Sequence, residues 1–272
     1  MPDGLPHELT PPFEFSLAYA EPGRVLEFGD SHLVYPYKSV TKLFSAWATL
    51  VAVEQSYVDL DDEVAIGADG ERIVTLRHLL AHASGLSFGS DTLEAEPEEK
   101  RIYSNRGIEM AASHVEKATG TEFARWTEEA VLEPLGLIET LIDGSAAHAG
   151  EGSIRDLLVF ARELLKPSLI SAELADEARS TVFPGLRGLT PGFGSYSDNT
   201  WGLGLEIKNQ KVRTWFPRGV SADTFGHFGQ SGSFLWVEPQ TGRTAAFLGS
   251  QPFGAWHKKH WQNLGDYFLE TY

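Results

Sequence analysis

The chain has 272 residues, 42% of them hydrophobic and 22% charged, with a formal net charge of −16 from 22 Lys+Arg against 38 Asp+Glu. That length allows one large domain or two lobes sharing a core. The acidic balance argues against nucleic acid or an anionic membrane as partner, since both need a basic footprint, and the absence of cysteine excludes disulfides, thiolate catalysis and cysteine-ligated metal.

The start, "MPDGLPHELTPPFEF", has no basic region followed by an apolar stretch, so it does not read as a secretory signal. No run of about 18 apolar residues follows anywhere. The expectation is a cytoplasmic protein; a secreted one with its signal removed would read the same.

Residues 13–20 ("FEFSLAYA") and 24–28 ("RVLEF") alternate apolar and polar side chains around Glu-Pro-Gly, which predicts two strands and a tight turn. A helix is expected next, with Val40, Leu43, Phe44, Trp47, Leu50 and Val51 at helical spacing and small or apolar residues on its other faces. From about Leu60 to Pro191 the signals are mainly helical: 75–86, 105–120, 121–136 and 153–166. The acidic stretch 93–100 reads as a solvated loop, and the Gly-, Pro- and Ser-rich stretch 184–199 as a long crossing loop. Strand patterns return at 201–207, 211–216, 224–229, 233–239 and 243–249, and 256–272 reads as a final helix. The expected fold is therefore α+β. Residues 1–58 and 195–272 would form a lobe with an antiparallel sheet flanked by N- and C-terminal helices, 59–194 an inserted helical lobe, and a cleft between them the ligand site.

Three motifs carry chemistry. Ser39-Val40-Thr41-Lys42 is the sole Ser-x-x-Lys, but roughly 0.7 such matches are expected by chance, so its setting decides. On a helix these side chains share a face. A capping box would put Glu or Gln at position 42; a lysine in the first turn of a buried helix is disfavoured as an ammonium and pushed toward a neutral amine. Tyr103-Ser104-Asn105 is the sole Tyr-x-Asn, with about 0.1 expected by chance. A phenol beside a lysine can have its pKa lowered and act as a base, while the amide orients a carbonyl. His227-Phe228-Gly229 has a second copy in His148-Ala149-Gly150, but only His227 lies on a strand pattern, where a Gly admits close backbone approach.

In this order the three motifs resemble those of the serine β-lactamase and penicillin-binding protein superfamily, and more closely its class C β-lactamase-like branch of esterases and D-amino-acid peptidases. "SVTKLFSAWATLVAVEQSYVDLDDEV", "TLRHLLAHASGLSF", "YSNRGIEMAASHVEKATG", "LEPLGLIET" and "GHFGQSGSFLWVEPQTG" extend the likeness over about residues 13–270. The resemblance implies an acyl-enzyme on Ser39, with Lys42 and Tyr103 sharing the proton transfers. It places Asn105, His227, Phe228, Gly229 and Gln230 against the substrate, and makes the oxyanion hole from the backbone N–H groups of Ser39 and Gln230. No cofactor or metal is implied, and the partner is a small-molecule ester or amide. Ser197-Asp198-Asn199, a literal copy of a class A motif, reads as a turn, because Tyr103-Ser104-Asn105 has the matching place and flanks. His78 and His82 stand four apart but lack a third ligand, and "GQSGS" (229–233) lacks the closing Gly of a nucleophile elbow. The third motif usually begins with Lys in β-lactamases, where the charge holds a substrate carboxylate. His227 is largely neutral at pH 7, which ranks a carboxylesterase first, β-lactamase or D-amino-acid peptidase or other amidase next, and a catalytically silent binding protein last. Oligomeric state is not legible.

Overall fold

The structure, a computed structural model, describes residues 4–272. Residues 1–3, at the start of the stretch read above as lacking a secretory signal, lie outside it. Six antiparallel strands form the main sheet in the order Glu206–Ile207, Phe225–Gly229, Ser233–Glu238, Arg243–Gly249, Phe15–Glu21, Arg24–Phe28. Both ends of the chain thus meet in one sheet, where Phe15 pairs with Gly249 and Ala20 with Thr244.

The central strands are buried on both faces, and the two-residue period sorts their side chains into two cores. Leu17, Tyr19, Phe234, Trp236, Ala245 and Phe247 face the final helix (Ala255–Thr271), whose Trp261, Leu264 and Phe268 complete that core. Ala18, Leu235, Val237, Ala246 and Leu248 face the other way, toward a larger core built with the opening helix (Thr41–Glu54) and the helix Ile154–Leu165. Twelve of the fourteen residues of the opening helix are buried, so packing rather than amphipathic exposure holds it. It is preceded by one 3₁₀ turn, Lys38–Val40, and has neither a side-chain cap nor an acid at its start.

The fold is α+β, an antiparallel sheet with helices on both faces. Several elements differ from their sequence patterns. Of the strand expected at 201–207 only Glu206–Ile207 forms. The expected strand at 211–216 is irregular because Lys211 and Trp215 converge on one carboxylate, Glu206, whereas an extended strand would hold them about 13 Å apart. The helix expected over 75–86 stops at Leu80, since His82 takes a left-handed conformation (φ 56°). The 121–136 helix is interrupted by a wide turn at Glu128–Leu132. A hairpin, Glu63–Ile66 with Arg72–Thr75, and a helix, Ala172–Arg179, were not anticipated in the middle of the chain, and the crossing loop holds a hairpin of its own, Gly188–Thr190 with Gly194–Tyr196.

Candidate active site

Ser39 sits in the 3₁₀ turn that feeds the opening helix, directly after Lys38, an exposed lysine in the left-handed region (φ 49°). Such a conformation costs a non-glycine residue about 1 kcal/mol or more and persists where surrounding contacts impose it. Those contacts are visible. Tyr37 donates its N–H to Gly150 O at 2.8 Å, and its carbonyl accepts the Ser233 hydroxyl at 2.7 Å. The turn is thereby tied to the strand that follows His227-Phe228-Gly229. A Cβ on Gly229 would lie 2.2 Å from Tyr37 O and 3.1 Å from Ser39 N, so only glycine lets the strand end come this close. That approach brings Ser39 and Gln230, the residue after Gly229, to the border of one cavity.

Lys42 follows one turn later, fully buried. Its Nζ donates to Asn105 Oδ1 at 2.6 Å, to Ala147 O at 2.8 Å and to Ser39 Oγ at 3.4 Å. None of these partners is a carboxylate. Loss of solvent pushes the ammonium from 10.5 down to about 7, with Glu109 opposing weakly. The Ala147 carbonyl is a partner that sequence reasoning missed. It comes from the Gly/Ala-rich loop around His148, which also accepts the Ser45 hydroxyl at Ala146 O (2.6 Å), and a backbone carbonyl leaves no signature in the sequence.

Asn105 begins the helix Asn105–Thr119, whose cap is Ser104, accepting from Gly107 N. Tyr103 precedes the cap, and its ring lies 4.8 Å from Lys42 Nζ. The expected lowering of its pKa is not found: burial raises it, Glu206 adds to the rise, and the Ser39 hydroxyl only partly offsets it. The phenol stays protonated. Its oxygen is 3.4 Å from His227 Nε2, and His227 Nδ1 is 2.7 Å from Phe228 O. Since a carbonyl can only accept, Nδ1 carries the hydrogen and Nε2 is left to accept from Tyr103. Burial, then the nearby Lys42, push His227 down to about 3, so it is neutral at pH 7. Phe228 borders the same space, but its ring packs into the aromatic core with Phe193, Trp215 and Phe253.

These groups enclose a cavity of about 140 Å³ bordered by Ser39, Tyr103, His227, Phe228 and Gln230, with Phe88, Trp201 and Glu206 among the other walls. A wider groove of about 580 Å³ adjoins it past Tyr103, with Phe88, Ile102, Leu189, Pro191 and Tyr196 along its sides.

His82 and His78 do not form a pair. His78 hydrogen-bonds Thr75 and Glu98, while buried His82 accepts the Ser104 N–H on Nδ1 at 3.2 Å and packs with its ring centre 4.8 Å from that of Tyr103, tilted by 52°. Among the described residues no group of His, Asp and Glu could hold a metal ion. Ser197-Asp198-Asn199 does not border the cavity that holds Ser39; Asp198 Oδ1 accepts Gly185 N and Asn199 N donates to Leu186 O at 2.8 Å, so the segment braces the crossing loop.

Sheet, helices and the cleft-facing serine define the β-lactamase and transpeptidase type of fold. Residues 30–265 match the family model described as Beta-lactamase, and the chain belongs to that family. The structure of a β-lactamase (Mb2281c) from Mycobacterium bovis is 42% identical with a TM-score of 0.90, over 95% of each chain. EstCE1, described as a hydrolase with promiscuous acyltransferase activity, shares the fold at a TM-score of 0.76 and 18% identity, over 93% of each chain. A putative D-alanyl-D-alanine carboxypeptidase of Escherichia coli K12 is 25% identical over 59% of this chain and 47% of its own length. The chain spans only 35% to 47% of the lengths of the curated relatives it matches. No helix among the described residues is long and apolar enough to cross a membrane.

Proposed function

We propose that the protein is a serine hydrolase that forms an acyl-enzyme on Ser39, and that it is a carboxylesterase acting on small-molecule esters. The observation that carries the reading is Lys42, a buried amine with no carboxylate partner, titrating near neutrality 3.4 Å from the Ser39 hydroxyl. A neutral Lys42 takes the Ser39 proton as Oγ attacks the ester carbonyl. The oxyanion forms between the N–H groups of Ser39 and Gln230, with the helix N-terminus adding favourable potential. Lys42, now an ammonium, returns its proton through the Tyr103 phenol to the departing alcohol oxygen. Water then attacks the acyl-enzyme, with Lys42 accepting its proton and passing it to Ser39 Oγ as the acyl–Oγ bond breaks and the carboxylic acid leaves. Asn105 orients Lys42, and His227 orients the Tyr103 hydroxyl.

Because the leaving alcohol collects its proton on the Tyr103 side, it departs into the wider groove, and the acyl group occupies the inner cavity. At about 30 Å³ per water-sized group, 140 Å³ holds four or five such groups. That fits a short acyl chain and falls below the 300 Å³ or so usual for drug-sized ligands. Ser39→Ala should abolish turnover of p-nitrophenyl butyrate and labelling by a fluorophosphonate. Wild-type hydrolysis by that variant would end the proposal. A second reading, β-lactam hydrolysis, is favoured by the 42%-identical structure described as a β-lactamase; faster turnover of a chromogenic cephalosporin than of the butyrate ester would establish it instead.

A further inference from the structure

The inner cavity has one charged group in its wall, and it is an acid. The Glu206 side chain is 1% exposed, as is that of Lys211, whose Nζ donates to Glu206 Oε1 at 2.8 Å. The Thr190 hydroxyl donates to the same oxygen at 3.1 Å, and Trp215 Nε1 donates to Oε2 at 2.8 Å. Glu206 borders the cavity that holds Ser39 and Lys211 does not. The lysine lies behind it, donating also to Thr200 O and facing the Tyr196 ring. The pair is therefore a buried dipole with its negative end toward the substrate. Glu206 also adds to the rise at Tyr103, so its field reaches the reacting groups. No lysine or arginine borders the cavity, and His227 there is neutral. Of the cations near the site, Lys42 stands behind Ser39, and Lys100, Arg101 and Arg187 line the outer groove together with Glu94.

We propose that Glu206 is a specificity-determining residue that makes the inner cavity reject anionic acyl groups and accept neutral ones. The proposal rests on the hydrolase reading above and narrows its substrates to short, uncharged acyl esters. With Lys42 in its neutral working form, a carboxylate entering the cavity would lose water, find no lysine or arginine in the wall and face a fixed like charge.

The test compares two esters of equal reach on one protein, p-nitrophenyl valerate and mono-p-nitrophenyl succinate. The wild type should favour the valerate by about 100-fold in kcat/KM, as like-charge juxtaposition at a desolvated site would give. The double variant Glu206→Gln, Lys211→Met removes both charges while keeping volume; the amide oxygen accepts from Trp215 and the amide NH2 donates to the Thr190 hydroxyl, so no unpaired ion is left buried. It should narrow the preference by about tenfold or more. Because the readout is a ratio within one protein, partial loss of folded enzyme cancels. In the wild type the preference should also survive a rise from about 0.05 to 1 M salt, which would screen the protein's net charge of −16 but not a buried group. A wild-type ratio near one, a ratio that collapses in salt, or an unchanged ratio in the folded double variant would overturn the role of Glu206 while leaving Ser39 chemistry intact. Loss of turnover of both esters by the wild type, with no labelling of Ser39, would overturn the hydrolase reading and this proposal together.

Discussion

Under the proposed function, Lys42 links turnover to the stability of the fold. In the folded chain it titrates near 7, against 10.5 for an ordinary lysine. If the neutral amine is the working form, kcat/KM should rise about tenfold per pH unit below 7 and level off above it. Between pH 7 and 10.5 the unfolded chain holds a proton that the folded chain lacks. Stability from this group is therefore fully present above 10.5 and is lost as pH falls toward 7, with a slope of up to about 1.4 kcal/mol per unit. Lys42→Met should abolish turnover and flatten that slope; urea titrations at several pH values would read it, and an unchanged slope would mean that Lys42 is not the buried titrating group. His82 acts through hydrogen bonding and shape. His82→Leu should lower kcat about tenfold with KM unchanged, because Ser104 loses its acceptor and Tyr103 its support. His82→Asn, which tolerates the left-handed backbone and can still accept the Ser104 N–H, should recover most of the rate. Equal impairment of both variants would remove the positioning role. The spacing of Ser39 and Lys42 and the sequence around Tyr103 and Asn105 were legible because side-chain chemistry is written in residue types. The rise at Tyr103, the Ala147 carbonyl and the left-handed turn at His82 were not, since each depends on what surrounds a residue rather than on what it is.

Among the elements, the opening helix has the least room. A Cβ on Gly204, at φ 78°, would come 2.2 Å from the Ala46 side chain, so the loop before the Glu206–Ile207 strand lies directly against this helix. Gly204→Val should cost about 2–3 kcal/mol through overpacking, seen as a lower urea midpoint with an unchanged m-value. Wild-type stability would show that the loop can move away without cost. Strands buried on both faces, such as Arg243–Gly249, were readable to the residue as short apolar runs bounded by turn residues, since alternate side chains serve the two cores. The 211–216 segment carries strand-favouring Val, Thr, Trp and Phe and fails as a strand. There a buried carboxylate recruits Lys211 and Trp215 to one point, and that tertiary demand outweighs the local pattern. The missed hairpin at Glu63–Thr75 carries β-branched residues and a Gly-Ala-Asp-Gly turn that a helical reading of the middle passed over.

At the scale of the molecule, two cores share one sheet, so neither face is dispensable. Removing residues 255–272 would expose Trp236 and Phe247 on the face that Trp261 and Phe268 cover. The truncated chain should lose its cooperative thermal transition; retention of a wild-type melting temperature would show that the final helix is an accessory. The α+β layout was legible because strand patterns frame a helical middle. The pairing of the first strand with the last was only implied, because pairing over such a separation leaves no local trace.

That pairing sets a clock. The edge of Phe15–Glu21 that faces Arg243–Gly249 has no partner until the far end of the chain has been made. At about 5–20 residues per second, a ribosome takes roughly 10–50 seconds to supply it. Throughout that interval a short apolar ribbon, joined only to Arg24–Phe28, is open to any other strand in reach. A nascent chain of this protein is thus open to misassembly until Arg243–Gly249 has been made, and slower translation of residues 29–242 should lower the yield of folded protein.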